Sequence, residues 1–166
     1  MSRNLQKIGL LISIALLASA CSRKNKPVPL NDYSEDINLE NKLMTSFISE
    51  AGNKVHFGFN KSDLTDEAKK KLDGQIAFIK ANGSVKIVVE GYCDQRGTEE
   101  YNIGLGEKRA NSVRAYFAAK GINPANIEVI SYGKERPEDL GTSEEAYAKN
   151  RRALTILNSN GFVVGQ

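Results

Sequence analysis

From Val55 onward the chain alternates short apolar runs with longer stretches of helical period, and this alternation restricts the folds open to it. Val55 to Phe59, Val85 to Glu90, Ile127 to Tyr132 and Ala153 to Leu157 are short and rich in β-branched, aromatic or aliphatic residues, as strands are. Between the first two, Thr65 is placed to cap a helix whose first turn carries Asp66 and Glu67. Ala68, Leu72, Ile76 and Ile79 share one face of it, and Gly83 lies past its end. A second helix runs to Lys120, with Ala110, Val113 and Phe117 on its buried side and Gly121 and Pro124 as terminators. Ser143 caps a third, short helix through Ala148. Strands interleaved with helices predict an α/β sandwich (α+β) of about 110 residues.

Such a fold has to rest on its core. The 166 residues include no Trp, one His (His56) and two Cys (Cys21 and Cys93) with no CxxC between them, which excludes a disulfide framework and a thiolate zinc site. No metal is expected. The 23 Lys and Arg against 20 Asp and Glu give a net charge of +3, too balanced for a nucleic-acid binder that works by blanket electrostatics.

Residues 1–20 read as a signal peptide. They carry Arg3 and Lys7, no acid, and an apolar run from Ile8 to Ala20 that is well short of the roughly 20 residues a membrane-spanning helix needs. Leu17-Ala18-Ser19-Ala20-Cys21 resembles a bacterial lipobox, in which small residues let an extended chain enter a peptidase and the thiol receives lipid. Each buried methylene of an acyl chain such as palmitate contributes about 0.8 kcal/mol, so several chains on Cys21 would hold the protein on a membrane essentially permanently. Ser22 follows rather than Asp, and similarity to lipoproteins then implies the outer membrane. Apart from this covalent lipid no cofactor is expected.

Residues 21–45 carry alternating charges and two prolines, Pro27 and Pro29, and read as a flexible tether with a root-mean-square span of roughly 25 to 30 Å. Leu39, Leu43, Met44, Phe47 and Ile48 fall at helical spacing before Gly52, so the tether is expected to end in a short helix against the domain, which occupies 46–166.

The stretch Gly91-Tyr92-Cys93-Asp94-Gln95-Arg96-Gly97-Thr98, running on to Leu105 and Arg109, joins a buried strand to a helix N-terminus. Such a junction presents backbone N–H groups, and Gly91 and Gly97 allow the chain to approach a ligand closely. Asp94 suits an ammonium and Arg109 suits a carboxylate, so the two together suit a zwitterion. Equally open from spacing alone is a pairing of Asp94 and Arg109 with each other or with solvent.

Gly91 to Ala110, Ser131-Tyr132-Gly133 and Asn150-Arg151-Arg152-Ala153 resemble, in order and spacing, the OmpA-like family of peptidoglycan-binding domains. The resemblance covers Val55 to Leu157 and is closest to lipid-anchored members of the Tol-Pal system, which also have a lipobox and tether in front. It implies a four-stranded mixed sheet with helices packed on it. It also implies non-covalent grip on the diaminopimelate residue of the peptidoglycan stem peptide. Asp94 would take the ligand's amino group, Arg109 would meet a carboxylate, Leu105 would line the pocket, and the backbone at Phe59 and Asn60 would donate to a carboxylate. The implied partners are peptidoglycan, TolB and other Tol-Pal envelope proteins, with the outer membrane reached through the lipid; no nucleic acid is implied. The implied role is to tether that membrane to the wall in support of envelope integrity and cell division. Three positions depart from the family pattern: Asn60 stands where Asp is common, Tyr92 where His or Asn is, and Cys93 where Thr or Ala is.

Two other readings compete. One is a periplasmic cell-wall enzyme with Cys93 as nucleophile and His56 as base; adjacent Glu99 and Glu100 are better explained as compensating a helix dipole than as a glycosidase pair. The other is a pure protein-interaction module, for which the basic pair Arg151–Arg152 is compatible, although one of the two is as well suited to brace the binding loop.

Overall fold

Thr65, Thr98 and Ser143 set the starts of three helices, because each side-chain oxygen accepts the backbone N–H three residues on: Ala68 at 3.2 Å, Tyr101 at 3.2 Å and Ala146 at 3.3 Å. The computed structural model describes residues 30–83 and 85–158. The signal peptide, Cys21 and the first part of the tether lie outside the described residues, as do 159–166. The elements run α1 (Leu30–Ala51), β1 (Lys54–His56), α2 (Asp66–Ala81), β2 (Lys86–Tyr92), α3 (Glu99–Ala119), β3 (Ile127–Gly133), α4 (Glu144–Asn150) and β4 (Arg152–Asn158), with a 3₁₀ turn at Pro124–Asn126.

The strands form one mixed sheet in the order β1-β4-β2-β3. Only β2 and β3 are parallel, while β4 is antiparallel to both β1 and β2. Parallel β2 and β3 need a crossover, and α3 supplies it. Alternation along the strands sends Val55, Ile87, Val89, Ala153 and Leu157 to one face, where they meet Leu72, Ile76 and Ile79 of α2 and Ala110, Val113 and Phe117 of α3. The fold class is thus the α+β sandwich with a four-stranded mixed sheet.

The first helix differs from expectation. Instead of a short helix ending a tether that reaches residue 45, α1 occupies 22 residues from Leu30. The reason is physical: Pro27 and Pro29 both precede its first residue, and a run of Asp, Glu, Asn and Lys between leucines suits a solvated helix as well as a coil. Its end is anchored by fully buried Phe47, whose ring lies 5.3 Å from that of Phe78, with Leu43 and Met44 packed beside it. β1 is also shorter than the run Val55 to Phe59. Phe57 N–H still donates to Arg151 O at 2.9 Å, and the chain then turns at Phe59 and Asn60, the latter in the left-handed region at φ 57°.

Gly91 has a different use from the one its place in the loop suggests. It lies in β2 beneath α3, where an added Cβ would sit 1.9 Å from the Gly106 carbonyl oxygen. The close approach is to the helix, not to a ligand, and it fixes the distance from sheet to α3.

Candidate functional site

Three segments converge at the ends of β1 and β2: the turn after β1, the loop Cys93–Thr98, and the first three turns of α3. Between them is a cavity of about 230 Å³. Its wall includes all five residues singled out from the sequence, Phe59, Asn60, Asp94, Leu105 and Arg109, together with Cys93, Arg96, Gly97, Tyr101 and Asn102. Asn102, Leu105 and Arg109 reach it together because residues three and four apart share a helix face.

Asp94 is buried and held by two guanidinium groups. Its Oδ1 accepts from Arg96 N and Arg96 Nε, both at 3.1 Å; its Oδ2 accepts from Arg96 Nη2 at 2.7 Å and Arg151 Nη1 at 3.2 Å. Burial by itself would raise the Asp94 carboxyl, but these donors outweigh it and hold the group below the usual carboxylate range. A carboxylate with a depressed folded-state pKa contributes stability that is complete above its unfolded value and is lost as pH falls through the folded value. Asp94→Asn is therefore expected to lower Tm most at neutral pH, with the difference from wild type shrinking below about pH 4. Melting curves across pH 2–7 check this; a gap that widens in acid would contradict it.

Arg109 is fully buried and makes no ion pair among the described residues. Its Nε donates to Lys61 O at 2.9 Å, Nη1 to Tyr92 O at 2.7 Å and to Cys93 Sγ at 3.3 Å, and Nη2 to Gly58 O at 3.2 Å. Asp94 and Arg109 thus do not neutralise each other. The cavity has a saturated carboxylate and a buried cation whose hydrogen bonds all go to neutral acceptors, with Asp94 near enough to favour its charge but not in contact with it.

Around them the loop is braced. Asn102 Nδ2 donates to Arg96 O at 2.8 Å and Thr98 O at 2.9 Å, and Gly97 holds φ 87° at the turn. Arg151 ties Asp94 to Phe57 O at 3.1 Å and to Glu144 at 2.7 Å, so it is the member of the basic pair that supports the loop. Asn60 Oδ1 accepts from the Tyr101 hydroxyl. Among the described residues nothing accepts from the backbone N–H of Phe59 or Asn60, which leaves both donors available at the cavity rim.

The departures from the family pattern separate. Cys93 lies in the cavity wall, whereas the Tyr92 side chain points to the sheet's other face. There its hydroxyl donates to Glu90 at 2.5 Å, its ring stacks on Tyr132 at 5.4 Å, and Arg152 covers it at 3.9 Å. The enzyme reading fails on geometry and acidity. His56 sits in a different small cleft with Thr65, Glu67, Ala68 and Lys71, and burial, as the largest cause, pushes the Cys93 thiol up rather than down.

Arg96, Tyr101 and Tyr147 were not legible as site residues. Arg96 is two residues from Asp94, a spacing that suits an Asx turn, and this is the one local signal. Its guanidinium lies 4.2 Å from the ring centres of both Phe59 and Tyr147, contacts that only the folded chain creates. No group of three or more His, Cys, Asp or Glu able to hold a metal occurs among the described residues.

Fold and site together define a non-covalent binding domain: a sheet-and-helix scaffold that holds a carboxylate, a buried guanidinium and free backbone amides around one small cavity. The chain belongs to the OmpA family, whose model matches residues 56–151. It is 41% identical over 142 residues to the peptidoglycan-associated lipoprotein of Haemophilus influenzae, covering 86% of this chain and 90% of that one. It is 48% identical over 102 residues to the same-named protein of Pasteurella multocida, covering 61% of this chain and 68% of the relative. The crystal structure of the peptidoglycan-associated lipoprotein from Burkholderia pseudomallei superposes with a TM-score of 0.61 at 36% identity, over 64% of this chain and 90% of that one. In keeping with such relatives the protein is not an enzyme.

Proposed function

We propose that this protein is a lipid-anchored outer-membrane protein that holds diaminopimelate-containing peptidoglycan without covalent chemistry. One observation carries the reading: Asp94 and Arg109 line the same cavity without an ion pair between them, so a ligand with both an ammonium and a carboxylate meets an acid and a base on one wall, the acid being reached once Arg96 gives way. The free end of diaminopimelate is such a ligand. In this reading the Phe59 and Asn60 amides donate to a carboxylate and Leu105 packs on the methylene chain. The names of the relatives supply the polymer.

Cys21, lipidated after removal of residues 1–20, fixes the other end in the outer membrane. The domain then tethers that membrane to the wall within the Tol-Pal system, with TolB and other Tol-Pal proteins as partners, in support of envelope integrity and cell division. A single partly exposed ion pair is worth about 0.2 to 1 kcal/mol, so retention depends on several hydrogen bonds and on many copies facing one polymer.

The test is co-sedimentation of the detergent-solubilised full chain with diaminopimelate-type sacculi. Retention is expected, along with release by free diaminopimelate but not by lysine, and loss of retention in Asp94→Asn. Equal release by lysine would reduce the interaction to charge attraction and overturn the site.

A further inference from the structure

A carboxylate has about four acceptor positions, and all four of Asp94 are taken: Arg96 N and Nε on one oxygen, Arg96 Nη2 and Arg151 Nη1 on the other. An incoming ammonium therefore cannot hydrogen-bond to Asp94 until a donor leaves. The backbone N–H of Arg96 is fixed by the turn. Arg151 is buried, with side-chain exposure of 7%, and is tied to Phe57 O and Glu144 as well. The Arg96 side chain is 36% exposed and already has a second acceptor, Glu144 Oε2, 3.4 Å from its Nη1. Glu144 is itself largely open, with side-chain exposure of 61%, so it can receive the charge without desolvation.

We infer that Arg96 is an internal competitor for the ligand's ammonium: it occupies Asp94 in the empty site and transfers to Glu144 when the ligand binds. This rests on the reading of the cavity as the diaminopimelate site. The rings of Phe59 and Tyr147, each 4.2 Å from the guanidinium carbon, provide flat faces along which a planar cation can shift while keeping its apolar contacts. Arg96 thus sets affinity without being a ligand contact. It also sets specificity, since a ligand lacking the ammonium has no means of displacing it.

The experiment is calorimetric titration of the full chain with a soluble diaminopimelate-containing stem peptide. Arg96→Gln removes the competitor and is expected to bind at least about threefold tighter, the scale of a partly exposed charge pair. Arg96→Met, which keeps apolar packing between the two rings, is expected to move the same way. Glu144→Gln removes the receiving acceptor and is expected to weaken binding more in the wild-type background than in Arg96→Gln, where only its bond to Arg151 is lost, a coupling that a merely structural role would not produce. Wild-type binding with unchanged or weaker binding by both Arg96 variants overturns the competitor role alone. Failure of the wild-type chain to bind overturns the cavity reading and this inference with it.

Discussion

Arg109→Met is expected to abolish retention on diaminopimelate-type peptidoglycan, with a loss of affinity of about 30-fold or more. The guanidinium has five N–H donors, and four of them are engaged by Lys61 O, Tyr92 O, Cys93 Sγ and Gly58 O. One Nη2 hydrogen remains for a ligand, along with a full charge that no carboxylate in contact offsets. Burial is the main influence on this group and disfavours its charged form. A ligand carboxylate supplies the missing counter-charge in a place screened from water, where removing one partner of a charge pair typically costs about 2–5 kcal/mol. Methionine keeps the apolar stem and deletes both charge and donors. It also removes the Arg109 donors to Lys61 O and to buried Tyr92 O, while Gly58 O keeps the Lys61 N–H, so some stability is lost as well, about 1–3 kcal/mol for an unsatisfied buried group. Thermal melting separates the two effects: a variant that is folded at the assay temperature yet not retained supports the role, and a folded variant that is still retained removes Arg109 from the site.

The reach of local signals explains what the sequence made legible. Thr65, Thr98 and Ser143 announce helices because a cap acts over three residues, and the buried faces of α2 and α3 follow from a period that is equally local. Asp94 and Arg109 lie within one strand–loop–helix unit, so they are legible as candidates although spacing leaves open whether they pair; Leu105, Phe59 and Asn60 are placed by resemblance alone. What the sequence leaves open or misleads on here depends on distant chain. The charge run from Asp32 to Lys42 suits coil and solvated helix alike, and packing of Phe47 against Phe78 decides in favour of the longer helix. Tyr92 and Cys93 are adjacent and therefore face opposite sides of the strand end, but which side holds the cavity is set by α3. Arg96 depends on Tyr147, 51 positions away, and no pattern in either segment points to the other.

Gly91→Ala carries the second large effect, because here fold and site share one contact. The new Cβ would meet the Gly106 carbonyl oxygen at 1.9 Å and its carbon at 2.6 Å, and these are backbone atoms within α3 rather than the end of a flexible side chain. Relief requires α3 to rise from β2, the strand that leads into Cys93 and Asp94. Since α3 carries Asn102, Leu105 and Arg109, the movement would also withdraw Arg109 from Tyr92 O, 2.7 Å away in the intact fold. Overpacking costs about 1–3 kcal/mol where side chains can adjust and more where they cannot. We expect the upper end or beyond, a fall in Tm on the order of 10 °C, together with weaker retention on peptidoglycan. Gly74→Ala is the control. It lies within α2 with nothing within 4 Å of an added Cβ, so replacing glycine there should be neutral or stabilising by roughly 0.4–1 kcal/mol through the unfolded chain. If the two variants melt together, the contact between Gly91 and Gly106 does not set the spacing of helix and sheet. If Gly91→Ala alone melts early and loses retention in proportion, the same backbone approach that seats α3 on the sheet also places Arg109 at the cavity.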